Sequence, residues 1–419
     1  KGVGFKRLFF DFSLWCTIVC LRKIATSVKW LAAIFAIVFV VMVAAFVAIS
    51  VLAVIKYFKH PAATELKLLT QSQPFPVFSF CNENPLKRSL VDTDPAFKDI
   101  AKMLKQFDDY EQKKITTDDY GIGGTRMKMQ RMSRAKITLR LMMNKLSEAD
   151  RRRVGYSFTE LVSQCTFAGK TCTSADFSSF LHPDYGVCYS FITDRIISRP
   201  GSESSLRMLL TVNQDTPRFT LFDFLPTTES ANIRAIIHRP EDFPDFSKNG
   251  FKLGAAMQAS VAFSRIEMSR MTLPYSNCTN PGEDLENYYG NLTYTLNTCQ
   301  NSCLQRLAWE NCKCVDPLFP KAAEHTHCST PTDMACLIKL PSFVSDVGAS
   351  DGKAVCDCKP ACNEVAFRKT VTYGDYPSRM YKVATGSQQQ RDKLLDGQGG
   401  GRPGDRSDDD EDFDVSLEY

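Results

Sequence analysis

Three catalytic signatures are missing from this chain: a Gly-rich phosphate loop, a metalloprotease helix and a strand-to-helix nucleophile elbow. Its histidines and serines show no motif spacing either, so an enzyme is the least supported class and no cofactor is expected. Charge of one sign is also scarce. A net charge of +4 on 419 residues is too small to argue for nucleic acid. No repeat or long linker interrupts the chain between Ile55 and Thr385, which excludes a string of small modules and leaves room for one elaborate α+β unit with a real core. Long hydrophobic runs are scarce as well, for only one exists and none follows Ile55.

That one run is decisive. Leu31 to Ile55 holds 25 residues with no charge and Ser50 as the lone polar group, about 37 Å of helix and enough to cross a bilayer. A signal-peptide core is shorter and lies nearer the N-terminus, so residues 30–56 are read as a transmembrane helix after a 1–29 segment. Lys6, Arg7, Arg22, Lys23 and Lys29 precede the span against one acid, Asp11, while Lys56 and Lys59 follow it. The positive-inside bias therefore puts the N-terminus in the cytosol and residues 57–386 outside the plasma membrane. The span itself is nearly free of polar groups, which suits a lipid-facing helix rather than a pore wall.

Cysteine usage agrees with this topology. Cys16 and Cys20 fall on the reducing side, and the other fourteen fall on the oxidising side, where seven bridges can form. Ten of them are crowded between Cys278 and Cys362. Cys299 and Cys303 share a face if Thr298 to Asn311 is helical, about 6 Å apart along the axis. Cys356 and Cys358 share a face on a strand, about 6.5 Å apart. The match suggests a helix bolted to an antiparallel strand by Cys299–Cys358 and Cys303–Cys356, with Cys278–Cys362 outside and Cys312–Cys336 and Cys314–Cys328 nested inside. Counting does not choose among the pairings that ten cysteines allow. Zinc is the alternative, with Cys312, Cys314, His325, His327 and Cys328 as ligands, although the spacing is not a usual finger pattern.

Elsewhere, Asp94-Pro95 followed by Phe97, Ile100, Ala101, Leu104 and Phe107 predicts a capped helix with an apolar stripe that packs in the core. Leu206 to Val212, Ile233 to His238 and Ala256 to Phe263 have the length and content of strands. Asn277-Cys278-Thr279 and Asn291-Leu292-Thr293 are glycosylation sequons on the outer side. Residues 387–412, rich in Gln, Gly and acid, read as a disordered insertion, with a solvated acidic run rather than a calcium loop.

A series of motifs in order resembles the degenerin/epithelial sodium channel family, most of all its acid-sensing and peptide-gated branches. Phe75-Pro76-Val77-Phe78-Ser79-Phe80-Cys81-Asn82 is similar to the family's strand after the first membrane helix. Cys165 to Cys172, Asp176-Phe177 and Gly186-Val187-Cys188-Tyr189 resemble the end of its finger region. Leu273-Pro274-Tyr275-Ser276-Asn277-Cys278 resembles its wrist, and Tyr294 to Cys314, with Cys-x3-Cys-x8-Cys-x-Cys, its first thumb helix. The resemblance implies a disulfide-rich ectodomain of finger, thumb, palm, knuckle and β-ball parts, here a finger over about 82–190 and a thumb over about 279–357. It further implies a homo- or heterotrimer of related subunits in the lipid bilayer around a pore for sodium ions. Cys81–Cys188 and Cys165–Cys172 are the remaining bridges it implies, and Tyr275 would couple to Tyr57 or Phe58 at the outer end of the span; an interfacial aromatic belt is the plain alternative for those two, and His60 reads as an interfacial polar residue rather than a sensor.

Departures from the family bear on function. Val19-Cys20 stands where the family's gating stretch has His-Gly, which affects the expected open probability. No second membrane helix and no Gly-x-Ser selectivity filter appear, the first residue is Lys1, and 413–419 alternates like a strand cut off midway, so the expectation is a fragment of a longer subunit. Glu241 and Asp242 align with carboxylates that, in acid-sensing members, face acids on the thumb, here Asp346 and Asp351. Close carboxylates raise one another's pKa and favour proton uptake. An extracellular peptide is the competing ligand, and a single-pass, disulfide-rich binding or silent regulatory subunit is the competing function class. About 20 apolar residues with a Gly-x-Ser step beyond Tyr419 would separate the two classes.

Overall fold

The computed structural model describes residues 4–15, 17–59, 64–69, 72–197, 199, 201–214, 223–280, 288–339, 356–378 and 412–418. They form two compact units, one comprising residues 1–68 with 272–277 and the other residues 69–271 with 278–419.

The first unit is helical, with Phe5–Trp15, Val19–Thr26 and the 30-residue Lys29–Phe58. Lys29–Phe58 is apolar on every side and has no buried residue, the pattern of a helix whose solvent is lipid. Among the described residues it is the one helix long and apolar enough to cross a membrane. At 1.5 Å per residue it extends about 45 Å.

The second unit is α+β and contains two large sheets. One runs Phe251–Gly254, Asn232–His238, Val77–Asn82, Gly186–Phe191 and Phe177–His182, all antiparallel. Its middle strands, Val77–Asn82 and Gly186–Phe191, are buried at every position, so their composition is apolar and aromatic rather than alternating. The other sheet runs Asn363–Asp375, Met257–Ser269, Asp412–Glu418, Leu206–Thr211, Val162–Phe167 and Lys170–Thr171. Within it Asp412–Glu418 pairs parallel to Met257–Ser269 and antiparallel to Leu206–Thr211. A single core takes Phe78, Phe80 and Phe191 from the first sheet and Phe167, Met208, Val261 and Phe263 from the second, with Phe75 edge-to-face against Phe167, Phe191 and Phe263.

A second core lies under helices Lys98–Glu111 and Lys128–Lys145. Asp94 caps as its position predicts, accepting from Ala96 N at 2.9 Å, but the first turn, Pro95–Phe97, is a 3-10 turn and the α-helix starts at Lys98. Phe97, Ile100, Leu104 and Phe107 all enter this core. The strand expected over Ala256 to Phe263 instead runs to Ser269, because each of its thirteen residues pairs with Asn363–Asp375; hydrogen bonding carries it through a polar stretch that hydropathy alone ends.

Candidate functional site

The cysteine-rich segment is built around helix Leu296–Cys312. Thr295 and Thr298 close a reciprocal cap at its start, Thr298 N donating to Thr295 Oγ1 (3.1 Å) and Thr295 N to Thr298 Oγ1 (2.8 Å). Its buried face carries Cys299 and Cys303, one helical turn apart, joined to Cys358 and Cys356 with Cα separations of 5.9 and 6.1 Å. Lys313 ends the helix in the left-handed region (φ 58°), a conformation that favours glycine. Cys312 and Cys314 flank this turn and bond to Cys336 of helix Pro331–Lys339 and to Cys328. Cys278 bonds to Cys362, Cys81 to Cys188 across directly opposed strand positions, and Cys165 to Cys172. The zinc alternative is corrected by this arrangement. Among the described residues one metal-sized group occurs, Cys314, Cys328 and Asp333, and its two thiols are spent in a single disulfide. His325 stacks on Trp309 instead (4.3 Å between ring centres).

Two polar anchors here have no sequence signature. Gln305, 1% exposed, donates from Nε2 to the carbonyls of Asp316, Phe319 and Pro320 (2.9, 3.1 and 3.1 Å) and accepts from Asp316 N (3.0 Å). Arg140, on helix Lys128–Lys145, forms a bidentate pair with Asp184 (2.6 and 3.0 Å) and reaches both oxygens of Asp316 (2.9 and 3.0 Å). Burial opposes its charge, but Asp184 and then Asp316 overcome it and push its pKa up. This guanidinium thus ties a helix, the turn before Gly186–Phe191 and the loop after Leu296–Cys312 together. Beside it His182 is buried and held neutral, its pKa lowered to about 4 by desolvation with Arg140 adding to the shift, while Asp184 and Asp245 oppose it.

The base of the segment is fixed by backbone and charge together. Arg270 N donates to Cys362 O (2.7 Å), and its guanidinium to Ala361 O (2.7 Å) and Glu364 (3.0 Å). Cys362 N in turn donates to Thr279 O (2.9 Å). Lys248 spans from its loop to the first turns of the helix, donating to Asn297, Gln300 and Asn301 (3.2, 3.3 and 3.4 Å). A cavity of about 200 Å³ lies at this junction, lined by Arg239, Asp242, Asp245, Thr295 and Asn301 among others.

The expected carboxylate cluster is only partly in view. Asp242 is ion-paired to Arg239 (2.7 Å), whose pKa it raises, and Glu241 is exposed with its carbonyl accepting from Thr293 N (2.8 Å). Asp346 and Asp351 lie outside the described residues, as does His60. Tyr275 and Tyr57 belong to the same helical unit and are 51% and 68% exposed; Tyr57 meets Phe58 edge-to-face at 5.5 Å. Val19 opens helix Val19–Thr26 with an exposed side chain, and Cys20 follows it. Asn277 and Asn291 are both exposed.

The family described as amiloride-sensitive sodium channel matches residues 12–400. The degenerin-like protein asic-2 of Caenorhabditis elegans is 31% identical over 395 residues, 92% of this chain and 72% of that protein. Degenerin mec-4 of Caenorhabditis briggsae is 32% identical over 252 residues, covering 58% of this chain and 32% of its own length. The epithelial sodium channel subunit beta of Oryctolagus cuniculus is 29% identical over 238 residues, 54% of this chain and 35% of its own. This chain therefore spans about a third of the last two relatives.

Proposed function

Because the chain belongs to the amiloride-sensitive sodium channel family, we propose that it is a subunit of a sodium-selective channel in the plasma membrane. The family match from residue 12 to residue 400 carries the reading. A channel needs no catalytic residue; it needs a pore with fixed polar ligands and an outer domain whose shape biases a gate. The apolar helix Lys29–Phe58 suits a lipid-facing role, with residues 1–29 cytosolic and the α+β unit extracellular. Related subunits in a trimer would complete the pore. The segment 279–357 would act as a thumb, its described part braced by five disulfides and by the Arg140 and Gln305 anchors. Force would leave it through the Cys278–Cys362 base, and Tyr275 with Tyr57 would receive it at the membrane. A ligand shifts such a gate only by its differential affinity for the open and closed states.

Expression of the full reading frame in oocytes, alone and with related subunits, tests this: a current that is blocked by amiloride and falls when external sodium is replaced is the expected result. Surface expression without current in any combination would overturn the channel reading in favour of a silent regulatory subunit. The finer assignments follow the same reading. Glu241 with Asp346 and Asp351 would sense protons, and an unchanged acid response in Glu241→Gln with Asp346→Asn channels would exclude that. Asn277 and Asn291 would carry glycans, read as a mass loss on glycosidase treatment.

A further inference from the structure

Among the described residues, the helix Phe5–Trp15 leaves a large apolar stripe without a partner. Leu8, Phe12 and Trp15 stand at i, i+4 and i+7, one face of an α-helix, and are 61%, 60% and 91% exposed. Ser13, fully buried, marks the packed side of the same helix, which at 100° per residue lies about 130° from the middle of the stripe. The stripe therefore faces away from the packed side of the helix. Phe5–Trp15 packs on Val19–Thr26, which packs on the membrane helix Lys29–Phe58, and thirteen residues separate Trp15 from Lys29. The stripe is thus held close to the end of the membrane span.

Chemistry identifies what covers it. Aromatic rings with a polar edge concentrate at the boundary between headgroups and acyl chains, as Trp15 would. Arg7 is exposed on this helix, and along the sequence of residues 1–29 Lys6, Arg22, Lys23 and Lys29 accompany it against the single acid Asp11. An apolar stripe with basic neighbours on a short helix is the composition of an element lying in the plane of a membrane surface. We propose that Phe5–Trp15 is an interfacial anchor, with Leu8, Phe12 and Trp15 seated in the headgroup boundary of the bilayer that Lys29–Phe58 crosses and with Arg7 among the phosphates. The inference rests on that helix being a membrane span. An anchor here would fix the height and rotation of Val19–Thr26, the helix that begins with the replaced pair Val19-Cys20.

The test uses the full chain in phosphatidylcholine nanodiscs with brominated acyl chains and two single-tryptophan backgrounds, since the protein has three tryptophans. Trp30→Phe with Trp309→Phe leaves Trp15 as reporter; Trp15→Phe with Trp309→Phe leaves Trp30. For Trp15 we expect blue-shifted emission, quenched several-fold more by bromine than by aqueous iodide, with the ratio reversed by Leu8→Glu plus Phe12→Glu. Quenching by iodide alone would place the stripe in water and overturn the anchor. Blue-shifted emission that neither quencher reaches would show that protein covers the stripe, a second copy or another subunit, and also overturns it. If Trp30 escapes bromine, the span reading fails and the anchor fails with it.

Discussion

Arg140 Nη1 lies 2.9 and 3.0 Å from the two carboxylate oxygens of Asp316, a residue 176 positions further along the chain. The side chain is 11% exposed, so the pair is held largely out of water. With Asp184 on its other edge, Arg140 neutralises two partly buried carboxylates, whose side chains are 26% and 24% exposed. Breaking such a group by removing one partner costs roughly 3–5 kcal/mol. Arg140→Ala should lower stability by about that amount, measured as a drop in thermal midpoint. Arg140→Lys should rescue only part of the loss, because an ammonium cannot fork onto two carboxylates.

Gln305 offers a test without charge. Gln305→Ala removes a donor from the carbonyls of Asp316, Phe319 and Pro320, of which Asp316 O keeps Phe319 N, at about 1–3 kcal/mol. Gln305→Glu should be worse than alanine above the carboxyl's pKa, since it turns an acceptor towards three acceptors. A denaturant titration of the two variants side by side checks the order.

The Cys278–Cys362 bridge has a sequence separation of 84, so its loss frees a long loop in the unfolded chain. Cys278→Ser with Cys362→Ser should destabilise by about 2–5 kcal/mol. In the functional reading, gating should change more than surface delivery; paired measurement of current and biotinylated surface protein separates the two.

Acid should weaken the fold through His182. Its folded pKa of about 4 lies below the ordinary value of 6.5, so above pH 6.5 it is neutral in both states and contributes nothing. As pH falls from 6.5 to 4 the unfolded chain takes up a proton that the folded chain refuses, and stability falls by roughly 3 kcal/mol across that window. His238 is lowered in the same direction by burial. His182→Gln should flatten the slope of stability against pH between 6.5 and 4; an unchanged slope would show that other groups carry it.

The disulfide-braced helix was legible because periodicity converts directly into distance. Spacings of four and two put Cys299 with Cys303 and Cys356 with Cys358 on single faces, and the structure bonds them crosswise. The 25-residue apolar run was equally plain, since a bilayer sets a length that few soluble helices share. Arg140, Asp184 and Asp316 gave no signal. An arginine in a helix full of basic residues looks like a solvated face, and nothing local says that two distant aspartates will enclose it. Gln305 was hidden in the same way, one more polar residue in a helix whose buried face also holds Thr298, Asn301 and Ser302. The length of Met257–Ser269 was missed because a thirteen-residue partner, not hydropathy, sustains it.

The sequence by itself determined the helix long and apolar enough to cross a membrane and the family, because each rests on a short-range pattern: an uncharged run and motifs in fixed order. Tertiary structure alone decided that Cys314 bonds to Cys328 and that His325 stacks on Trp309. It also decided that Asp242 faces Arg239, and that Arg140 and Gln305 pin the braced helix to its surroundings. Those outcomes depend on which groups lose water together when distant segments meet. A lone charge or amide in a sequence carries no record of its partner, whereas burial makes that partner obligatory.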